Sequence, residues 1–244
     1  MTVRFLSIGE CMIEMAPQET GGYAMGYAGD TFNTAWYARR VAGAGIEVAY
    51  LTAIGDDAAS QGLAEFIRAS GVTPEIRVRP GRTIGLYLIT LSEGERSFSY
   101  WRSTSAARTL ADDLEELPGV GPGDMVSFSG ITLAILPEDG RDRLLAAVTR
   151  ARARGARIAF DPNLRPRLWQ DADEMRRWIM AAAAVSDILL PSYEDEAAAF
   201  GDATPSETAQ RYAGAGAAMV VVKNGPGPVI LQAAGDLAEI IPPP

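Results

Sequence analysis

Six short, almost uninterrupted apolar runs recur along this chain, and amphipathic stretches separate them. The runs are "RFLSIG" (4–9), "VAYLTAIG" (48–55), "MVSFSG" (125–130), "RIAFD" (157–161), "DILLP" (187–191) and "AMVVVK" (218–223). A strand that is apolar on both faces must be covered on both faces. Alternation of such strands with helices therefore predicts a parallel sheet between helical layers. The clearest helix is predicted over 136–155, with Leu144, Leu145, Val148 and Ala151 on one face. Glu138 and Asp139 at its start and Arg150, Arg152 and Arg154 before Gly155 suit the helix dipole and a glycine stop. With 244 residues, the chain suits one α/β domain with a small appended element.

That element is visible where the rhythm breaks. Between Glu75 and Arg102 no helix intervenes, and "IGLYLITL", "SEGE" and "RSFSYW" form a hairpin pattern with Gly94 in the turn. A second strand-like piece, "CMIEMAP", precedes the Gly/Tyr-rich "TGGYAMGYAGD". Together they predict a small antiparallel β-flap over 11–30 and 75–102. The core is then 1–10, 31–74 and 103–244. The flap reads equally as a lid over a cleft or as a decorated sheet edge.

Ligands of open parallel sheets sit beyond the carboxyl ends of the strands. Asp161, Asn163 and Arg165 of "FDPNLRPRLW" occupy such an end, as do Gly130 and Ser192. Pro162 and Pro166 restrict that loop, and Arg167 and Trp169 are expected to anchor it to the following helix. Two arginines here matter because the chain as a whole is acidic, with 22 Lys and Arg against 31 Asp and Glu and a net charge of −9. This balance argues against nucleic acid or an acidic membrane surface as partner. An anionic ligand must be met by local cations instead.

The chain has no histidine, which excludes Ser-His-Asp triads, Cys-His pairs and His-containing zinc sites. A general base must come from Asp, Glu, Lys or Tyr, and a catalytic metal would be a hard cation on oxygen ligands, best Mg²⁺. Cys11 is the single cysteine, which fits a reducing cytoplasm, and no apolar run approaches a membrane span or a signal peptide.

Each further motif has a plain alternative. "YAGDTFNTAWYARR" opens a helix at which Gly29 admits close backbone approach and Asn33 could hydrogen-bond a polyol. An ordinary capped helix with Phe32, Ala35 and Trp36 in the core reads the same way. Tyr87, Tyr100 and Arg102 lie on the flap strands, as site residues or as edge cover. "VVVKNGPGP" matches neither phosphate-loop nor dinucleotide fingerprints and reads as a turn. Glu194, Asp195 and Glu196 either favour a helix N-terminus or order a metal ion.

Taken together, "GECMIEM", "AGDTFNTA", "AIGDD…QG", "GLYLI…GERSFSYWR", "SGITLAIL" and "FDPNLRPRLW" resemble the ribokinase-like (PfkB-type) sugar kinases over essentially the whole chain. The last three stretches resemble their 2-keto-3-deoxygluconate kinase branch. The resemblance implies a three-layer α/β/α core with a β-lid, ATP as donor, Mg²⁺, and phosphorylation of a sugar-acid hydroxyl. By the same resemblance Gly29, Asp30 and Asn33 hold substrate hydroxyls. Tyr87, Tyr100 and Arg102 contact the substrate from the lid, and Arg165 pairs with its carboxylate. Asn163 and Arg165 lie near the phosphates, and Ser192, Lys223, Gly225 and Gly227 are on the nucleotide side.

The chain departs from the family pattern at several positions. Ala28 replaces a signature glycine, and Ser192 and Asp195 replace the Asn and Glu of the metal-associated element, so that Glu196 rivals Asp195. The family's GAGD-like loop with its aspartate base is expected beyond Pro244. Asp236 in "AAGDL" is read as a hairpin-turn residue, and these 244 residues alone are expected to show no turnover. A kinase of a neutral sugar such as fructose, and a sugar-binding domain without catalysis, are the competing readings. An exposed flap edge also offers a pairing surface for a second subunit.

Overall fold

The chain divides into two compact units, one comprising Met1–Leu114 and Leu136–Arg143, the other Glu115–Ile135 and Leu144–Pro244. The computed structural model describes residues 2–92 and 95–241, so the expected turn at Gly94 lies outside the described residues.

The first unit holds β1 (Val3–Ile8), β2 (Met12–Pro17), β3 (Tyr23–Ala28), α1 (Asp30–Val41), β4 (Ile46–Ile54), α2 (Ala58–Ala69), β5 (Thr73–Val78), β6 (Leu86–Ser92) and β7 (Glu95–Trp101). Strands β1, β4 and β5 run parallel in that order, with Leu6 opposite Ala49 and Leu51 opposite Glu75. Leu6, Ile8, Tyr50, Leu51, Leu63 and Ile67 are fully buried or nearly so. Each such aliphatic side chain contributes about 1.5–3 kcal/mol by leaving water. α1 packs on β1 and β4, and α2 packs on β5. Asp57 starts α2 by accepting the Ser60 amide at 3.0 Å, which satisfies one otherwise orphaned N–H.

A separate four-stranded sheet has the order β3-β2-β6-β7. Its strands are antiparallel except for the β2–β6 pair. One boundary differs from the sequence expectation of a flap beginning at Glu75. β5 pairs with β4 in the parallel sheet, and the second stretch of the small sheet begins at Leu86. The alternating "EIRVR" suits the edge of either sheet. Pairing follows from Ile76, which packs into the core around Tyr50, and from Arg77 and Arg79, which both reach Asp113.

The second unit contains β8 (Met125–Ser129), α3 (Gly130–Ile135), most of α4 (Glu138–Ala153), β9 (Arg157–Asp161), α5 (Ala172–Ala184), β10 (Ile188–Leu189), α6 (Tyr193–Phe200), α7 (Pro205–Gly214), β11 (Met219–Val222), β12 (Val229–Ala233) and β13 (Asp236–Ile240). β8, β9, β10 and β11 are parallel neighbours, and β12 and β13 extend the sheet antiparallel. Phe128 and Phe160 meet at its centre with rings 4.8 Å apart. α5 and α7 begin at Asp171 and Thr204, which accept the amides of Glu174 and Glu207. Asp236 opens β13 after the Ala234–Gly235 turn, so it lies in a hairpin.

Candidate functional site

In the first unit the site residues gather where β1 and β7 end and α1 begins. Gly29 caps α1 in extended backbone. A Cβ there would lie 2.2 Å from the Glu10 carbonyl oxygen, so only glycine lets the helix start this close to the Glu10 main chain. Asp30 lies in the first turn, and Asn33 is exposed one turn on, its amide bonded to the Gly29 carbonyl at 2.8 Å.

Tyr87 on β6 and Tyr100 on β7 are direct cross-strand partners with rings 5.8 Å apart. Tyr87 is buried and donates its hydroxyl to Glu14 on β2, while Tyr100 is half exposed. Burial first, and the Glu14 carboxylate second, raise the Tyr87 phenol, so it stays a hydrogen-bond donor.

Arg102, one residue past β7, is drawn inward. Its side chain is 11% exposed and its Nη2 bonds Glu10, which is 2% exposed. The other Glu10 oxygen accepts the Ser105 hydroxyl at 2.5 Å. Burial pushes the Glu10 carboxyl up, against the pull of Arg102 and Ser105. The Arg102 Nε is buried with no hydrogen-bond partner among the described residues. Sequence reasoning passed over Glu10, Glu14 and Ser105. The available signal was two acids in the apolar "GECMIEM", since a buried carboxylate demands a partner.

In the second unit the loop after β9 is tightly built. A Cβ on Gly130 would fall 1.8 Å from the Pro162 carbonyl oxygen, so the glycine lets the loop lie against the start of α3. Asn163 and Arg165 have φ of 34° and 47°. Asn tolerates this left-handed region, whereas an arginine held there costs about 1–3 kcal/mol. The buried Trp169 donates its indole N–H to the Leu164 carbonyl at 2.7 Å and thus anchors the loop, while Arg167 is exposed. At the strand end Asp161 pairs with Lys223 at 2.9 Å. Lys223 also makes an isolated parallel bridge with Ser192, and Gly225 follows with φ 51°. Gly227 closes the turn with its amide on the Asn224 carbonyl at 2.8 Å.

Two rival metal ligands separate here by burial. Asp195 has a side chain 40% exposed, and its carboxylate lies 3.8 Å from Arg165. Glu196 is fully buried and spent on other partners, accepting Arg211 at 2.8 Å and the Tyr212 hydroxyl at 2.9 and 3.0 Å. Burial pushes its carboxyl up to about 7 despite Arg211. Asp202, beside Arg211 and Thr208, goes the other way, because their hydrogen bonds outweigh its burial.

Mg²⁺ keeps several waters and takes one or two protein carboxylates. An exposed Asp195 fits that demand and Glu196 does not. Among the described residues no cluster of three or more acidic or Cys side chains offers a full protein cage. Lys223 and Arg165, on neighbouring loops with Asn163, suit phosphate oxygens.

The chain also has close counterparts. A family model described as "pfkB family carbohydrate kinase" matches residues 4–244. A 2-dehydro-3-deoxygluconokinase of Dickeya dadantii is 35% identical over 99% of this chain and 80% of its own length. One of Escherichia coli K12 is 36% identical over 97% of this chain and 78% of its own. The crystal structure of a PfkB protein from Polaromonas sp. JS666 superposes with a TM-score of 0.86 at 25% identity, over 99% of this chain and 83% of that one.

Proposed function

The chain belongs to the pfkB family of carbohydrate kinases, and we propose that it transfers the γ-phosphate of ATP to a hydroxyl of 2-keto-3-deoxygluconate or a similar sugar acid. Its fold is ribokinase-like α/β and its chemistry that of an ATP-dependent sugar kinase. The choice of a sugar acid rests above all on Arg102, a cation that Glu10 holds at the end of β7 on a chain of net charge −9. A ligand carboxylate satisfies such a donor set better than a neutral hydroxyl does.

In this reading Gly29, Asp30 and Asn33 hold substrate hydroxyls, and Tyr87 and Tyr100 contact the substrate from the small sheet. Arg102 and Arg165 meet its carboxylate. Asn163, Ser192, Lys223, Gly225 and Gly227 serve the nucleotide, with Asp195 rather than Glu196 holding Mg²⁺ and its waters. When bound, Mg²⁺ would neutralise phosphate charge. The protein's own share is positioning and charge compensation, which supply most of the catalysis in phosphoryl transfer. The small sheet serves as a lid whose free edge can pair with a second copy, and a cytoplasmic location fits a chain with one buried cysteine.

A substrate panel tests the reading. 2-Keto-3-deoxygluconate should be bound, and phosphorylated where turnover is measured, at least tenfold better than fructose or ribose. Equal or better use of fructose would replace the sugar acid by a neutral hexose.

A further inference from the structure

We infer that Glu10 is a positioning residue for the substrate's carboxylate, acting through Arg102. The inference rests on the sugar-acid reading above. It begins with the two ends of the Glu10 carboxylate. One oxygen accepts Arg102 Nη2, and the other accepts the Ser105 hydroxyl at 2.5 Å. Ser105 is itself fixed, since it is buried, bridges Thr83 and donates its amide to the Arg102 carbonyl at 3.2 Å. The carboxylate therefore cannot rotate without losing a buried hydrogen bond, and neither can the guanidinium edge it holds.

Arginine offers five N–H donors in a rigid fork. Among the described residues one of its nitrogens is spent on Glu10, while the buried Nε has no partner. The ring of Tyr100 lies 5.9 Å from the guanidinium carbon, too far and too soft to satisfy a donor. The buried Nε is closed to solvent, so a ligand's oxygens meet the Nη edge that Glu10 does not hold. The ordering of a long flexible side chain, normally lost on binding, has then already been borne by the fold. Glu10 also compensates the guanidinium charge with no anion present, which lets Arg102 be buried at the root of the small sheet.

This assigns Glu10 a role distinct from that of Arg102. Arg102 touches the substrate, while Glu10 aims Arg102. Glutamine at position 10 preserves the aim, since its amide oxygen accepts from Arg102 and its amide nitrogen donates to Ser105. Alanine abolishes it.

Calorimetric titration of the full chain with 2-keto-3-deoxygluconate, and separately with fructose, tests the assignment. Glu10→Ala should weaken sugar-acid binding about tenfold, with fructose binding altered by less than about threefold. Glu10→Gln should recover most of the sugar-acid affinity lost in Glu10→Ala. If Glu10→Ala does not fold, Ser105→Ala, which frees one carboxylate oxygen, should weaken sugar-acid binding severalfold. Unchanged sugar-acid affinity in Glu10→Ala, or equal losses in the Ala and Gln variants, overturns the positioning role. Wild-type protein that binds fructose as tightly as the sugar acid overturns the substrate reading first, and this inference with it.

Discussion

Two glutamates, one in each unit, are buried beside an arginine, and the two arginines are finished differently. In the second unit Arg211 is fully subscribed. It reaches Asp202 through Nε and Nη2, Glu196 through Nη2 and the Met180 sulfur through Nη1, with the rings of Phe200 and Tyr212 at 3.8 and 4.3 Å. In the first unit Arg102 makes one side-chain contact to Glu10 and leaves Nε buried without a partner. A closed network holds α6 to α7, and nothing further is asked of it. The Arg102 pair is the more open of the two, with one buried nitrogen that no described residue satisfies. Burial and ion pairing alone therefore do not mark a site.

The largest effect that could break this contrast is on stability. Arg211→Ala leaves Glu196 buried without its cation, and should lower unfolding free energy by about 3–5 kcal/mol in urea titration. A loss below 1 kcal/mol would show the network to be ornamental.

The next concerns pH. The folded Glu196 carboxyl titrates near 7, against 4.5 when unfolded. Between those values the folded state holds a proton that the unfolded state has lost. The Glu196 contribution to stability therefore falls as pH rises from 4.5 to 7, by on the order of 3 kcal/mol in all. Asp202, whose carboxyl is lowered, acts in the opposite sense at more acidic pH. Glu196→Gln should flatten the decline between pH 4.5 and 7 in thermal melts, and an unaltered slope would assign it to other groups.

The smallest effect sharpens the functional side. Arg165 is exposed and its contact with Asp195 is long, so Arg165→Ala should change stability by no more than about 0.5 kcal/mol. Sugar-acid affinity should nevertheless fall by about 1.5–3 kcal/mol, one to two decades, with neutral-sugar affinity little changed. Equal losses for both sugars would move Arg165 from the carboxylate to the phosphates.

Much of this architecture is legible in the sequence because it is local. The apolar runs at β4, β8 and β9, and the charge gradient of α4 ending at Gly155, need only neighbours a few residues away. So does the position of Asp161, Asn163 and Arg165 past a strand end. What was not legible is set by distance or by backbone angle. Glu10 and Ser105 are 95 residues apart in sequence, and no periodicity links them. The φ of 47° at Arg165 is invisible, since the residue type argues against it. "EIRVR" fits either sheet, and only Ile76 and the Asp113 pairs decide between them. Asp195 and Glu196 are adjacent and chemically alike. A helix turns about 100° per residue, and that rotation sends one outward and the other into the core.

The close approach of Gly29 to the Glu10 carbonyl reaches beyond its own turn. Residue 10 presses its main chain against the start of α1 and extends its side chain to Arg102. A substitution at 29 that shifts the Glu10 backbone is thereby transmitted to the guanidinium, although 29 and 102 never need to touch. Changes at any two of positions 29, 10 and 102 should therefore combine non-additively.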